Sequence, residues 1–216
     1  MVGIVVGGAG AFGRKHLDAL SKIDDAHVVG VVEPVADLAA EAAEMFGVER
    51  TFGSLDDALE LDEVDAVILT SPTPMHAAQA IQCMDAGKHV EVEIPVAESL
   101  ADAQAVLDKQ AETGLVCMVG HTRRYNPSHQ WVRQRIESGE FTIQHMDVQT
   151  FFFRRTNTNA LGLPRSWTDH LLWHHSAHTI DLFQYMTGEK VVASNILQGP
   201  IPVSYTHLTL PTNREV

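Results

Sequence analysis

Residues 2–13 read Val2-Gly3-Ile4-Val5-Val6-Gly7-Gly8-Ala9-Gly10-Ala11-Phe12-Gly13, an apolar run followed at once by G-x-G-x-x-G. A short apolar run before such a turn reads as a buried strand, and the pattern from Phe12 to Ser21 reads as a helix. In that setting the three glycines serve different purposes. Gly8 permits the tight turn, Gly10 lets the backbone approach a pyrophosphate, and Gly13 lets helix and strand pack closely. The phosphates then sit on the helix N-terminus. Gly8, Gly10, Ala11, Phe12 and Gly13 are therefore candidate dinucleotide contacts. Glu33 ends the next apolar run, 20 residues after Gly13, where an acidic side chain accepts the ribose hydroxyls of NAD and repels the 2′-phosphate of NADP. No arginine follows before Arg50, so the sequence favours NAD, with NADP the second choice.

Outward from that stretch, short apolar runs alternate with helical patterns through residue 120, the signature of βαβ units and a parallel sheet. Strands are expected at Val2–Val6, His27–Val32, Ala66–Thr70, His89–Val92 and Val116–Val119. Helices are expected near Phe12–Ser21, Val35–Phe46, Pro74–Ala86 and Leu100–Thr113, with Ser99 an N-cap and Gly47, Gly87 and Gly114 at stops. The fold class is α/β: a Rossmann-type doubly wound parallel sheet over residues 1–121, then an incomplete α+β substrate domain over residues 122–202. That second part reads as a helix Pro127–Glu137, a long strand Met146–Phe153, an Asn/Arg-rich loop, a helix Thr168–Thr187 and a strand Val191–Leu197. The string from Val203 to Thr212 resembles the in-frame translation of a transposon-type sequencing adapter. Residues 203–216 are accordingly read as a non-native tail on a chain truncated near Pro202.

The 216 residues are 45% hydrophobic and 20% charged, which excludes disorder, collagen-like repeats and coiled coil. No apolar run approaches the roughly 20 residues of a membrane span. Cys83 and Cys117 sit among apolar neighbours and read as core residues, not a disulfide framework. With no secretory leader visible after Met1, the expected setting is the cytoplasm. The net charge of −13 makes nucleic acid or anionic lipid a poor partner. That charge is uneven: residues 1–121 hold 6 Lys and Arg against 21 Asp and Glu, and residues 122–202 hold 8 against 6. Seven of those eight are arginines, whose fork suits carboxylates. The pairs Arg123/Arg124 and Arg154/Arg155 are the ones expected to meet an anionic ligand.

The segment Gly87-Lys88-His89-Val90-Glu91-Val92-Glu93-Ile94-Pro95 resembles the G-K-H-V-x-x-E-K-P stretch of the Gfo/Idh/MocA oxidoreductases, with Thr70-Ser71-Pro72 and His76 upstream and His178-Thr179-Ile180-Asp181 matching that family's H-x-x-D helix. The resemblance implies an NAD(P)-dependent dehydrogenase acting on a CH–OH group, with Ser71, Pro72, His76 and Glu93 added to the cofactor contacts. The segments 120–129, 146–150 and 165–175 resemble a branch of the family that acts on a small dicarboxylate. This implies substrate contacts at His121, Arg123, Arg124, Arg154 and Arg165, and a homo-oligomer at full length. Where the family has a proton-transferring lysine, this chain has Ile94, which cannot titrate.

His170, His174 and His178 recur at i, i+4 and i+8 and so share one helix face, with Asp181 a turn beyond His178. The family pattern aligns His178 with the catalytic histidine and His174 with an acidic position. His178 is expected as base, His174 as its partner or a substrate ligand, and Asp181 as the group fixing the imidazole tautomer. Zinc is the rival use of such spacing, but no H-E-x-x-H is present and hydride transfer needs no metal. His175, off that face, reads as packed, and Trp167 and Trp173 as core or pocket wall. The competing functions are a sugar or inositol-type dehydrogenase of the same family and a nucleotide-binding module without turnover.

Overall fold

The structure is a computed structural model that describes residues 1–150, 158, 171–195 and 197, with the backbone alone at 171–173. It divides at Gly120/His121 into two compact units.

In the first unit six strands, β1 (Val2–Gly7), β2 (Ala26–Val32), β3 (Thr51–Phe52), β4 (Ala66–Leu69), β5 (His89–Val92) and β6 (Cys117–Val119), form a parallel sheet. The order is β3-β2-β1-β4-β5-β6, so the chain reverses direction across the sheet between β1 and β4. Ligands of such sheets bind outside the carboxyl ends of the strands at that switch point. Val5 pairs with Gly30 on one side and with Val67 on the other. Both faces are covered. Helices α1 (Ala11–Leu20) and α2 (Ala36–Phe46) close one face over Val6, Leu17, Val31, Ala42 and Ile68. Helices α3 (Leu55–Leu59), α4 (His76–Asp85) and α5 (Leu100–Thr113) close the other over Val5, Leu69, Cys83, Val92 and Val106. Each fully buried Leu or Val contributes about 1.5–3 kcal/mol, so these two layers dominate the stability of the unit.

Ser99 caps α5 as expected, its hydroxyl accepting the Asp102 N–H at 3.1 Å. Ser54 does the same for α3 through Asp57. The strand β3 and the helix α3 have no counterpart in the sequence reading. Two residues are too few to alternate, and a five-residue helix falls below any periodicity window. Cys83 is buried and Cys117 half-buried, both as thiols. Burial pushes the Cys83 thiol up to about 12.

In the second unit a 3₁₀ turn (Thr122–Tyr125) leads into α6 (Pro127–Glu137), and α7 (Leu171–Thr187) follows the undescribed stretch. Asn126 caps α6, its side-chain oxygen accepting the Ser128 N–H at 2.9 Å, with Pro127 in the first turn. Residues 146–150 and 191–195 adopt no strand, contrary to expectation. A strand exists only through a ladder partner, and among the described residues neither segment finds one. No helix among the described residues is long and apolar enough to cross a membrane.

Candidate functional site

The G-x-G-x-x-G turn sits where the sheet reverses. Gly8 has φ +110°, and a Cβ there would meet Thr70 at 2.7 Å. A Cβ on Gly13 would fall 1.8 Å from the Gly8 carbonyl oxygen, so the first turn of α1 lies directly on the loop. Gly10 differs: a Cβ there would meet nothing within 4 Å. The fold does not need a glycine at position 10, which leaves open space in front of the first amides of α1. That helix start has no side-chain cap and no acidic residue in its first turn, unlike α3 and α5. Unclaimed N–H groups facing an open cradle fit a pyrophosphate.

Glu33 closes the loop from the side. Its carboxylate accepts the N–H groups of Ala9 at 3.0 Å and Val35 at 3.1 Å, fixing an acidic group beside the glycine turn. Phe12 is exposed, with the Lys15 ammonium 4.7 Å above its ring. Thr70 ties β4 to β1, with its hydroxyl oxygen 3.0 Å from the Gly7 carbonyl oxygen. Ser71 donates to Gln79, and Pro72 opens the 3₁₀ turn Thr73–Met75. His76 is only 1% exposed, its ring nitrogens 2.7 and 2.8 Å from the carbonyl oxygens of Pro95 and Ser71. It joins the loop after β4 to the loop after β5 from beneath, so it positions those loops. The Ile94–Pro95 peptide is cis. Glu93, at the end of β5, has one oxygen 3.3 Å from the Ile94 N–H and the other 2.9 Å from Nε2 of His16 on α1. The sequence reading does not reach His16. Its one signal is its place three residues after Gly13, on the helix face that Gly13 presses against the sheet.

The second unit gathers a different set. Asp181, 7% exposed, takes two contacts from the Arg124 Nε, at 3.1 and 2.9 Å, and a further one from its terminal nitrogen. This bond raises the Arg124 guanidinium above its ordinary value. Arg124, expected to hold a ligand, is thus committed to the protein. His121 lies at the same carboxylate, its Nε2 3.8 Å away, and meets the His178 ring edge-on at 6.3 Å between centroids. Its Nδ1 is buried without a hydrogen-bond partner among the described residues. Burial lowers its affinity for a proton, Asp181 opposing and Arg124 reinforcing that trend. His174, His178 and Asp181 share one face of α7, and the two histidines are half-buried.

Arg123 does not join that carboxylate among the described residues; it lines an open groove of about 660 Å³ together with Asn126, His129, Asp147, Gln149, Thr150 and Leu182. Its one side-chain contact among the described residues is a 3.4 Å bond to the Thr179 hydroxyl. His129 Nδ1 lies 2.8 Å from the Arg123 carbonyl oxygen and fixes the backbone beneath it. Arg154, Arg155, Arg165, Trp167 and His170 fall outside the described residues, as does the side chain of Trp173. Among the described residues no three His, Cys, Asp or Glu side chains converge as a metal would need.

Residues 2–121 match the family described as "Oxidoreductase family, NAD-binding Rossmann fold". The chain belongs to the Gfo/Idh/MocA oxidoreductases. Residues 127–209 match a second family, "Bacterial oxidoreductases, C-terminal", running past Pro202. The chain is 61% identical over 198 residues to 4-carboxy-2-hydroxymuconate-6-semialdehyde dehydrogenase of Sphingobium sp., covering 92% of this chain and 62% of that protein. It is 27% identical over 206 residues to scyllo-inositol 2-dehydrogenase (NAD(+)) of Bacillus subtilis, covering 92% and 58%. The chain thus spans less than two thirds of the length of these Gfo/Idh/MocA relatives. Among solved structures, myo-inositol dehydrogenase from Lactobacillus casei in complex with NAD(H) and myo-inositol superposes with a TM-score of 0.62 at 28% identity, over 64% of this chain and 42% of that one. The first unit is an NAD-binding Rossmann domain of this family, with the sheet order and glycine turn expected of it.

Proposed function

We propose that the protein oxidises the cyclic hemiacetal of 4-carboxy-2-hydroxymuconate-6-semialdehyde to 2-pyrone-4,6-dicarboxylate with NAD. The observation that carries this reading is the 61% identity to the Sphingobium enzyme, which spans both units. When bound, NAD supplies the hydride acceptor. The open cradle at Gly10 and the uncapped start of α1 would hold its pyrophosphate, and the Glu33 carboxylate, fixed beside that turn by the Ala9 and Val35 amides, would receive the ribose hydroxyls.

In the second unit His178 takes the proton from the lactol hydroxyl, and His174, on the same helix face, binds beside it. Position 94 is isoleucine, so no lysine is available there for the proton. Arg123, which lines the groove, grips a substrate carboxylate, with Arg154 and Arg165 as further donors. Asp181 acts through Arg124 and His121, holding the imidazole cluster in place. Two free thiols fit a reducing, cytoplasmic setting, and homo-oligomeric assembly is part of the same reading.

The test offers the chain NAD⁺ with either the lactol or scyllo-inositol and follows NADH absorbance. Turnover of the lactol, lowered about 10²–10⁴-fold by His178→Asn with NAD⁺ affinity kept, is the expected result. Turnover of the inositol alone would replace the substrate, and an unimpaired His178→Asn variant would move the base to His174.

A further inference from the structure

On the α1 side of the sheet, β5 presents Glu91, and Glu93 follows one residue past the end of the strand, at i, i+2 from it. Opposite them α1 presents a single imidazole. His16 Nε2 lies 2.9 Å from Glu93 Oε1, with the two side chains only 20% and 14% exposed. The pair joins α1, whose first turn faces the dinucleotide cradle, to the end of β5 at the same sheet edge. The backbone N–H of Glu93 bonds to the Leu69 carbonyl, one residue before Thr70, against which Gly8 packs.

Other charges around His16 have their own partners. Arg14 reaches across to Glu41 on α2 with two bonds of 3.0 and 2.9 Å. Lys15 lies over Phe12, and Asp18 is bound to Lys22. The face of β1 and β2 beneath α1 is apolar. The proton on His16 is therefore governed by Glu93 and Glu91. The bond to Glu93 raises the imidazole above its ordinary value against the pull of burial, with Glu91 adding to the rise. Burial likewise pushes the Glu91 carboxyl up.

We propose that His16 is a proton-linked positioning residue of the cofactor cleft: as imidazolium it holds the Glu93 carboxylate against α1 at the mouth of the cradle, and on losing its proton it lets that carboxylate go, so that NAD⁺ binds less tightly. Without the imidazolium, two carboxylates at i, i+2 are left unneutralised at the end of β5, and Glu93 has an incentive to swing away. The cation also stands on the helix that receives the pyrophosphate, so its loss acts in the same direction. This inference rests on dinucleotide binding alone and is independent of which substrate is oxidised.

The experiment measures NAD⁺ affinity by fluorescence titration from about pH 6 to about pH 9 for the unaltered chain, His16→Gln and Glu93→Gln. It also follows the His16 ring protons by NMR with and without NAD⁺. The affinity of the unaltered chain is expected to fall about three- to tenfold across that range, with His16 titrating about half to one pH unit higher when NAD⁺ is bound. Both variants should be nearly pH-independent and weak throughout. A flat profile in the unaltered chain, or a His16→Gln variant that keeps the slope, overturns the proposal. Should the variants fail to fold, a His16 titration in the unaltered chain that NAD⁺ leaves unmoved overturns it equally.

Discussion

The two units hold themselves together by different means. In the first, every central strand is paired on both sides, and both sheet faces are sealed by apolar side chains, so the polar groups described at the site gather at the carboxyl edge. In the second, the buried apolar side chains among the described residues are Leu182 and Met186, and a charged residue, Asp181, is buried beside them. Arginines do the joining: Arg124 to Asp181, and Arg133 to the carbonyl oxygens of Tyr185 and Met186 at 2.7 and 3.2 Å. Both guanidiniums, of Arg124 and Arg133, lie over the Tyr185 ring, 5.6 and 5.5 Å from its centroid. The first unit thus separates what folds it from what works in it. The second relies on its polar cluster for its own packing, so a change there is felt first as instability.

The largest effect that could break this contrast is in the apolar unit. Gly13→Ala places a methyl 1.8 Å from the Gly8 carbonyl, which is backbone and cannot swing aside. Overpacking of that kind costs about 1–3 kcal/mol, here toward the upper end, and should abolish NAD⁺ binding as the turn shifts. Denaturant melts and NAD⁺ titration read both losses. A variant of unchanged stability would mean that α1 is not seated on the loop. Next in size is Arg124→Met, which leaves the Asp181 carboxylate buried without its principal partner. Stranding a buried charge costs about 3–5 kcal/mol, reduced here because the guanidinium is 45% exposed and water can replace part of it, so about 2 kcal/mol is expected. Asp181→Asn with Arg124→Met should recover part of that loss. An Arg124→Met chain as stable as the original would show that the second unit does not depend on its ion pair.

The same contrast decides what can be read from sequence. Strands β1, β2, β4, β5 and β6 and helices α1, α2, α4 and α5 follow from apolar periodicity and the Ser and Gly punctuation, because local pattern and tertiary burial agree there. The glycine turn and Glu33 are legible because each is tied to a local geometry. His16 and Glu93 are 77 residues apart and Arg124 and Asp181 57 apart, and no local rule joins them. Sequence alone therefore casts Arg124 as a ligand contact, since an arginine looks the same there whether its carboxylate is a substrate's or the protein's own. Residues 146–150 carry a strand-like pattern, but whether a strand forms depends on a partner elsewhere.

A smaller effect sharpens the comparison through pH. His16 has its affinity for a proton raised by Glu93, so the stability it contributes is fully present below its ordinary value of 6.5 and is lost as pH rises through the raised value. His121 has its affinity lowered by burial, so its contribution is present above 6.5 and is lost as pH falls through the lowered value. The two imidazoles therefore pull in opposite directions. His16→Gln should remove a loss of stability on the alkaline side of 6.5, and His121→Gln a loss on the acid side. Thermal melts across that range separate them. If both substitutions flatten the same limb, one of the two environments has been misassigned.

The smallest change in stability belongs to Gly10→Ala, the same added methyl as at Gly13 and three residues away. Gly10 has φ −70° and ψ −170°, a conformation alanine adopts freely, and nothing lies within 4 Å of the new atom. Alanine restricts the unfolded chain, worth about 0.4–1 kcal/mol in favour of the fold, and is a poorer N-cap than glycine, which offsets that gain. The net change should stay within about 0.5 kcal/mol. NAD⁺ affinity is the readout that should move, since the methyl occupies the space that the pyrophosphate enters. A tenfold loss corresponds to about 1.4 kcal/mol, and at least that is expected. Gly13→Ala and Gly10→Ala together thus distinguish a glycine the fold requires from one the ligand requires. If Gly10→Ala binds NAD⁺ with unchanged affinity, the open space in front of α1 is not where the pyrophosphate lies.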